Sequence, residues 1–227
     1  MQTEILYRPS YSLAVVKLSP GESVQVEGGA MVSMSAGMQM ETKARGGIFK
    51  SLARSVLGGE SFFMNTYTAP AEGGEIMLAP SLPGDIAQME LRGETIMLQS
   101  GSYIASSPGI EVDTSWGGAK SFFGGEGFIL LRVKGTGKLL VSSYGAIHPV
   151  ELGPKQKITV DTGHLVSFDS TLDFQVRRVA GWKSTLFSGE GLVVELTGPG
   201  KLTLQTRSER AFLDWLIPHL PKRSGSD

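Results

Sequence analysis

Gly21-Glu22-Ser23-Val24-Gln25-Val26, with Gly29 and Val32 following, decides the fold of this chain because the pattern is written three times. It returns as Gly93-Glu94-Thr95-Ile96-Met97-Leu98 with Gly101 and Ile104. It returns again as Lys155-Gln156-Lys157-Ile158-Thr159-Val160 with Gly163 and Val166. In each copy two apolar residues stand two apart, which puts them on one face of a strand. A glycine comes three residues later, where the chain must turn or bulge, and a further apolar residue three after that.

A second motif recurs downstream in the same order. Gly58-Gly59-Glu60-Ser61-Phe62 matches Gly124-Gly125-Glu126-Gly127-Phe128 and Ser188-Gly189-Glu190-Gly191-Leu192. Gly73-Gly74-Glu75-Ile76, Gly135-Thr136-Gly137-Lys138-Leu139 and Gly198-Pro199-Gly200-Lys201-Leu202 then follow in their respective copies. Internal repetition on this scale is read before anything else, since it sets the architecture. The units run approximately over residues 11–85, 86–150 and 151–207, with seams near Pro80–Met89 and Val150–Pro154. Units this small bury too little surface to stand alone. They are therefore expected to pack around a shared core as one domain, residues 1–227, with pseudo-threefold symmetry.

Thirty glycines between short alternating apolar runs mark turns between strands and an all-β chain. Two segments have helical character. Ile48, Phe49, Leu52, Ala53, Val56 and Leu57 share one face, with Lys50 and Arg54 opposite and Gly58 as a stop. Ser208 can cap a C-terminal helix over residues 208–218 that carries Phe212, Leu213, Trp215 and Leu216 and ends at Pro218. Residues 222–227 are expected to fray.

Composition narrows the function classes. The 227 residues carry a formal net charge of −1, which lacks the basic excess of a protein that neutralises phosphates. With no cysteine, there are no disulfides, thiolate nucleophiles or Cys-based zinc sites. No apolar run reaches the ~18 residues of a membrane span. The N-terminus does not read as a secretory signal. The expected location is the cytoplasm.

The motifs resemble a known family. Leu18-Ser19-Pro20-Gly21-Glu22, Glu27-Gly28-Gly29-Ala30-Met31-Val32, Gly58-Gly59-Glu60-Ser61-Phe62-Phe63 and Pro80-Ser81-Leu82-Pro83-Gly84-Asp85-Ile86 carry the likeness. So do Gly101-Ser102-Tyr103, Phe123-Gly124-Gly125-Glu126-Gly127 and Trp215-Leu216-Ile217-Pro218. Together they resemble the altered-inheritance-of-mitochondria type family, whose biochemical activity is not established. The resemblance covers nearly the whole chain. It implies a fold like that of the tryptophan RNA-binding attenuation protein: a short double-stranded β-helix unit, three per chain, to which the helix read above from Ser208 is added. Its fungal members are linked to organisation of the mitochondrial inner membrane. Fold alone does not carry function across. RNA binding is not implied, because the repeated positions here hold glycine, apolar residues and Glu rather than a regular Lys/Arg set.

Two sets of residues stand out as candidate sites. Glu60, Glu126 and Glu190 occupy equivalent positions. Near a threefold axis three carboxylates would hold a hard cation such as Ca²⁺ or Mg²⁺; away from it each simply begins a strand or caps a turn. The apolar residues just before them, Ile48, Phe49, Leu52, Phe122, Phe123, Trp182, Leu186 and Phe187, are candidates for a groove or an oligomer contact. Their ordinary reading is as core that plugs the barrel ends. The 48–57 segment also has the form of a short membrane-surface anchor. Met38-Gln39-Met40 suits a strand with one buried face, in a chain whose methionines cluster between Met31 and Met97. His148, His164 and His219 lack metal-ligand spacing and read as structural.

Three function classes follow. The leading one is a non-catalytic, homo-oligomeric binding or scaffold protein with no cofactor, whose partner is another protein or a membrane surface. The second is a nucleic-acid binder by fold analogy, disfavoured by charge. The third is a metal-dependent enzyme on a cupin-like β-helix, for which the chain shows no ligand cluster in sequence.

Overall fold

The computed structural model describes residues 1–42, 64–113, 122–123, 128–178 and 192–221, and the chain there is built almost entirely of antiparallel strands. The first stretch gives β1 (Gln2–Leu6), β2 (Leu13–Leu18), β3 (Ser23–Glu27), β4 (Met31–Met34), β5 (Gln39–Thr42), β6 (Met64–Thr68) and β7 (Gly74–Leu78). Strand β7 pairs with both β2 and β4, and β6 pairs with both β3 and β5. Strand β1 lines the outer side of β2.

The middle stretch has fewer, longer strands: β8 (Ile86–Gln99), β9 (Tyr103–Ser106), β10 (Ile110–Asp113), β11 (Phe122–Phe123) and β12 (Phe128–Ser142). The first half of β8 pairs with the second half of β12, and its second half with the first half of β12. Strand β9 lies on the second half of β12, whereas β10 and β11 lie on the first. The last stretch gives β13 (Ile147–Leu152), β14 (Lys157–Asp161), β15 (Leu165–Asp169), β16 (Asp173–Arg178), β17 (Leu192–Thr197) and β18 (Gly200–Gln205). Here β18 pairs with β13 and β15, and β17 with β14 and β16.

Two ladders join these stretches. Strand β3 pairs with β9, through Gln25↔Ser106 and Val26↔Ala105. The second half of β8 pairs with β15, through Leu98↔Ser167, Met97↔Phe168 and Ile96↔Asp169.

Residues at corresponding sequence positions adopt the same special conformations. Gly21, Gly93 and Lys155 all have left-handed backbone, with φ of +70°, +107° and +63°. Glycine takes that conformation freely and lysine does not, so Lys155 carries local strain that its two counterparts avoid. Val32, Ile104 and Val166 are each the extra residue at a register shift, between Met31 and Ser33, against Leu140/Val141, and between Leu165 and Ser167. One additional residue at a bulge re-aims a side chain without ending the strand.

The buried apolar residues form three clusters rather than one shared core. The first, around Val24, Val26, Ile76 and Leu78, is completed by Ile86, Ile104, Ala105 and Leu140 from the middle stretch. The middle cluster, around Leu98, Tyr103, Leu131 and Leu139, takes in Val166 from the last. The third holds Val160, Leu165, Phe168, Val194 and Leu196 with Met97, Phe128 and Leu130. Each stretch has its own interior, and neighbouring stretches lend the side chains that seal it.

Outside the strands lies helix α1 (Glu209–Leu216), continued by a 3-10 turn at Ile217–His219. Ser208 caps it by accepting the Ala211 N–H at 3.4 Å, as its position before the apolar run predicts. Met38 is buried, but Met40 is exposed with the rest of β5. Strand β5 ends its sheet in the described structure, and no described element covers its outer face. The helical segment expected near residues 48–57 lies outside the described residues.

Candidate functional site

Among the described residues, three turns and one helix line a cleft of about 870 Å³. One wall is the 3-10 turn Ser100–Ser102 at the end of β8, and another is the turn Thr162–His164 after β14. Ser142–Tyr144 lines it as well, as do Arg210 and Leu213 of α1 and Ile217 of the turn after the helix.

The Gln205 side chain ties two of these lining segments together. Its Oε1 accepts the Tyr144 N–H at 2.8 Å and its Nε2 donates to the Gly163 carbonyl at 2.8 Å. The Gln205 carbonyl itself bonds His164 Nδ1 at 2.8 Å. Asp161 Oδ1 accepts the Gly163 N–H at 2.7 Å, tightening the same turn. Gly163 has no room for a side chain, because a Cβ there would lie 2.5 Å from Ser208 Oγ. The repeated glycine therefore serves close packing here, whereas Gly29 serves a left-handed turn. Ser100 Oγ is buried on the cleft wall and has no hydrogen-bond partner among the described residues. A buried hydroxyl of that kind favours any polar group that enters.

Beside this cleft, α1 presents an aromatic run. Tyr144 meets Phe212 edge-on with centroids 6.3 Å apart, Phe212 stacks on Trp215 at 6.4 Å, and Trp215 stacks on His219 at 5.1 Å. His219 Nδ1 also bonds the Trp215 carbonyl at 2.6 Å. Trp215 is 60% exposed, and Leu213, Ile217 and Leu220 are exposed with it. Aromatic and aliphatic side chains left in water together are the usual mark of a surface with a partner.

The second apolar surface is at the other end of the chain. Met31, Val32 and Met34 on β4 and Met40 on β5 are all exposed. Among the described residues strand β4 pairs only with β7, so its other edge has no described partner.

A third cluster is polar and internal. The Asp85 carboxyl is buried and accepts from Arg8 Nε and Nη2, each at 2.8 Å, from Ser12 Oγ at 2.9 Å and from the Ile86 N–H at 2.8 Å. Burial alone would push its pKa up; the hydrogen bonds from Arg8, Ser12 and Ile86 outweigh this and hold it below the usual range. Arg8 is half exposed, so the cluster anchors the β1–β2 connection to the start of β8. Tyr103 is fully buried; its hydroxyl donates to the Gln25 carbonyl at 3.3 Å and bonds Ser106 Oγ at 2.8 Å. Burial drives its pKa well above the ordinary tyrosine value.

Glu60, Glu126, Glu190, Ile48, Phe49, Leu52, Trp182, Leu186 and Phe187 lie outside the described residues. Phe122 and Phe123 form β11, paired with Ile129 and Phe128. Among the described residues, no group of three His, Cys, Asp or Glu side chains is placed to hold a metal ion. No helix among them is long and apolar enough to cross a membrane. Sequence reasoning missed the Gln205 staple and the Arg8–Ser12–Asp85 cluster. Their partners are separated by 41 to 77 positions and meet only in space. The one hint was the Pro83-Gly84-Asp85-Ile86 run, whose quoted motif placed Asp85 without a role.

An antiparallel all-β protein with an aromatic helix, an open apolar strand and a polar cleft is the class that these features define. Within it, the chain belongs to the family described as Mitochondrial biogenesis AIM24, whose profile matches residues 3–207. An uncharacterized protein of Streptococcus pyogenes serotype M6 is 28% identical over 222 residues, covering 94% of this chain and 89% of that protein. A crystal structure of a Streptococcus pyogenes protein, solved by a structural genomics consortium, superposes with a TM-score of 0.80 at 26% identity. That likeness covers 96% of this chain and 99% of the other.

Proposed function

We propose that this chain is a non-catalytic, homo-oligomeric binding or scaffold protein built from three tandem β-helix units of the attenuation-protein type. The three-unit reading is supported by the pairing scheme. In the first and last stretches one strand carries two partners and a second strand carries two others, and in the middle stretch the two halves of β12 take those parts in the same sequence order. The shared left-handed and bulged positions strengthen it. The pairing of β13 with β18 favours a second seam just before Ile147.

The observation that carries the functional reading is where apolar surface remains in water: on β4 and on α1, at two sheet and chain extremities. Surfaces of that kind are matched by partners rather than by small substrates. A cytoplasmic location is part of the same reading and fits the absence of cysteine.

Native mass spectrometry on untagged protein, purified without chelator, tests it. The expected spectrum is a defined multimer with no constant extra mass. A monomer at all concentrations that retains a stoichiometric metal would replace this reading with a metal-dependent one.

A further inference from the structure

The cleft of about 870 Å³ is lined by residues that correspond across the chain. Glu27, residues 99–102 and residues 162–163 come from the same turn in the three copies of the repeated motif. Pro80, Ser81 and Leu82, residues 142–144, and Gln205 with Ser208 come from the ends of β7, β12 and β18 and the residues just after them. A depression walled by corresponding strand ends is formed by the backbone before any ligand arrives, and its volume falls within the roughly 300–1,000 Å³ of small-molecule sites. Helix α1 adds further lining, and it starts beyond residue 207, where the family profile stops.

The lining selects by chemistry. Ser81, Gln99, Ser100, Ser102, Ser142 and Thr162 are neutral hydrogen-bonding side chains, and Phe128, Ile129, Leu213 and Ile217 add apolar surface. Charge on the described lining is confined to Glu27, Glu209, Arg210 and Asp214, and Arg210 Nε lies 3.7 Å from Asp214 Oδ2. Acids outnumber bases, which repels an anion. Ser100 decides among the remaining ligands. It is 5% exposed on the cleft wall, and its hydroxyl has no hydrogen-bond partner among the described residues. A serine hydroxyl has a proton to give and lone pairs to receive. An ammonium group donates to it and accepts nothing back, and an apolar ligand satisfies neither need. A ligand hydroxyl satisfies both.

We propose that this cleft binds a small neutral polyhydroxyl ligand, a sugar or polyol. Ser100 bonds one ligand hydroxyl, the lining carboxylates accept from others, and the apolar residues meet the ligand's C–H surface. A ligand held by exchangeable hydrogen bonds leaves during purification, so it adds no constant mass to the isolated protein. The inference goes beyond the oligomeric reading and does not depend on it.

Saturation-transfer difference NMR on the full chain tests it. The neutral probes are glucose, galactose, ribose and myo-inositol, and the charged ones are putrescine and gluconate, each at millimolar concentration. Saturation transfer is expected to at least one neutral probe and to neither charged one. Ser100→Ala should weaken that binding roughly two- to ten-fold, the loss of one hydrogen bond. Because it removes a buried hydroxyl that lacks a partner, S100A should melt at or above the wild-type temperature without ligand. Gly101→Leu is the second variant. Gly101 lies on the cleft wall, and the three atoms nearest to a Cβ there all belong to the flexible Gln99 side chain, the closest at 3.2 Å. G101L should narrow the cleft and abolish binding, with far-UV circular dichroism unchanged. Tyr11→Ser removes an exposed aromatic ring outside the cleft and should leave binding intact.

No transfer to any neutral probe overturns the proposal. Transfer to putrescine or gluconate alone overturns the ligand class. Transfer to a sugar that S100A and G101L both leave unchanged places it elsewhere on the protein and overturns the site. None of these outcomes bears on the oligomeric reading, which the native mass spectrum decides separately.

Discussion

Replacing Asp85 by asparagine removes a buried negative charge while keeping the side chain's shape. Four donors converge on that carboxyl: two from Arg8, one from Ser12 and one from the Ile86 backbone. A hydrogen bond to a charged group contributes roughly 1.5–3 kcal/mol. Arg8 is 52% exposed, so its pair is screened by solvent and counts near the bottom of that range. Asparagine keeps one acceptor for Ile86 and Ser12 but turns an NH₂ toward Arg8. The expected loss for D85N is about 2 kcal/mol, which for a chain this long lowers the melting temperature by roughly 4–8 °C. Because the folded-state pKa of Asp85 lies below its unfolded value, this stabilisation is fully present above the unfolded value near ~3.9 and is lost as pH falls through the folded one. The gap between wild type and D85N should therefore narrow as pH drops below ~4. Thermal melts of both proteins between pH 7 and pH 3 measure it. Equal melting temperatures at pH 7, or a gap that widens in acid, would refute the account of what holds the β1–β2 connection.

Other outcomes follow from single residues. Tyr103→Phe should cost about 1–2 kcal/mol, since it frees the Ser106 hydroxyl and the Gln25 carbonyl at the β3–β9 junction. The raised pKa of Tyr103 means wild-type stability falls as pH climbs above the unfolded tyrosine value near ~10, and Y103F should lack that component in chemical denaturation. Lys155→Gly should raise stability by roughly 0.5 kcal/mol, because relief of the left-handed strain exceeds the entropy glycine adds to the unfolded chain. A K155G protein less stable than wild type would mean that the Lys155 side chain contributes packing that its backbone geometry conceals.

The strands were legible in the sequence because period-two apolar residues and recurrent glycines are local signals. The correspondence of Val32, Ile104 and Val166 was read from spacing alone, and all three prove to be bulged residues. The Ser208 cap was equally local. What those residues do was not local. Nothing in the sequence distinguishes Val32, open to water, from Ile104 and Val166, each sealed in another unit's interior. That difference depends on whether a neighbouring strand lies alongside, and strands that pair across tens of residues are chosen by the whole chain's path. The shared core expected from the sequence became three linked interiors for the same reason: the bulges at Ile104 and Val166 each aim a side chain into the interior of the preceding stretch. The sequence by itself determined the strands, their faces, their turns and their kinship with one another. Only the tertiary structure decided which edges are covered and which remain open, because burial is a property of neighbours and not of residues.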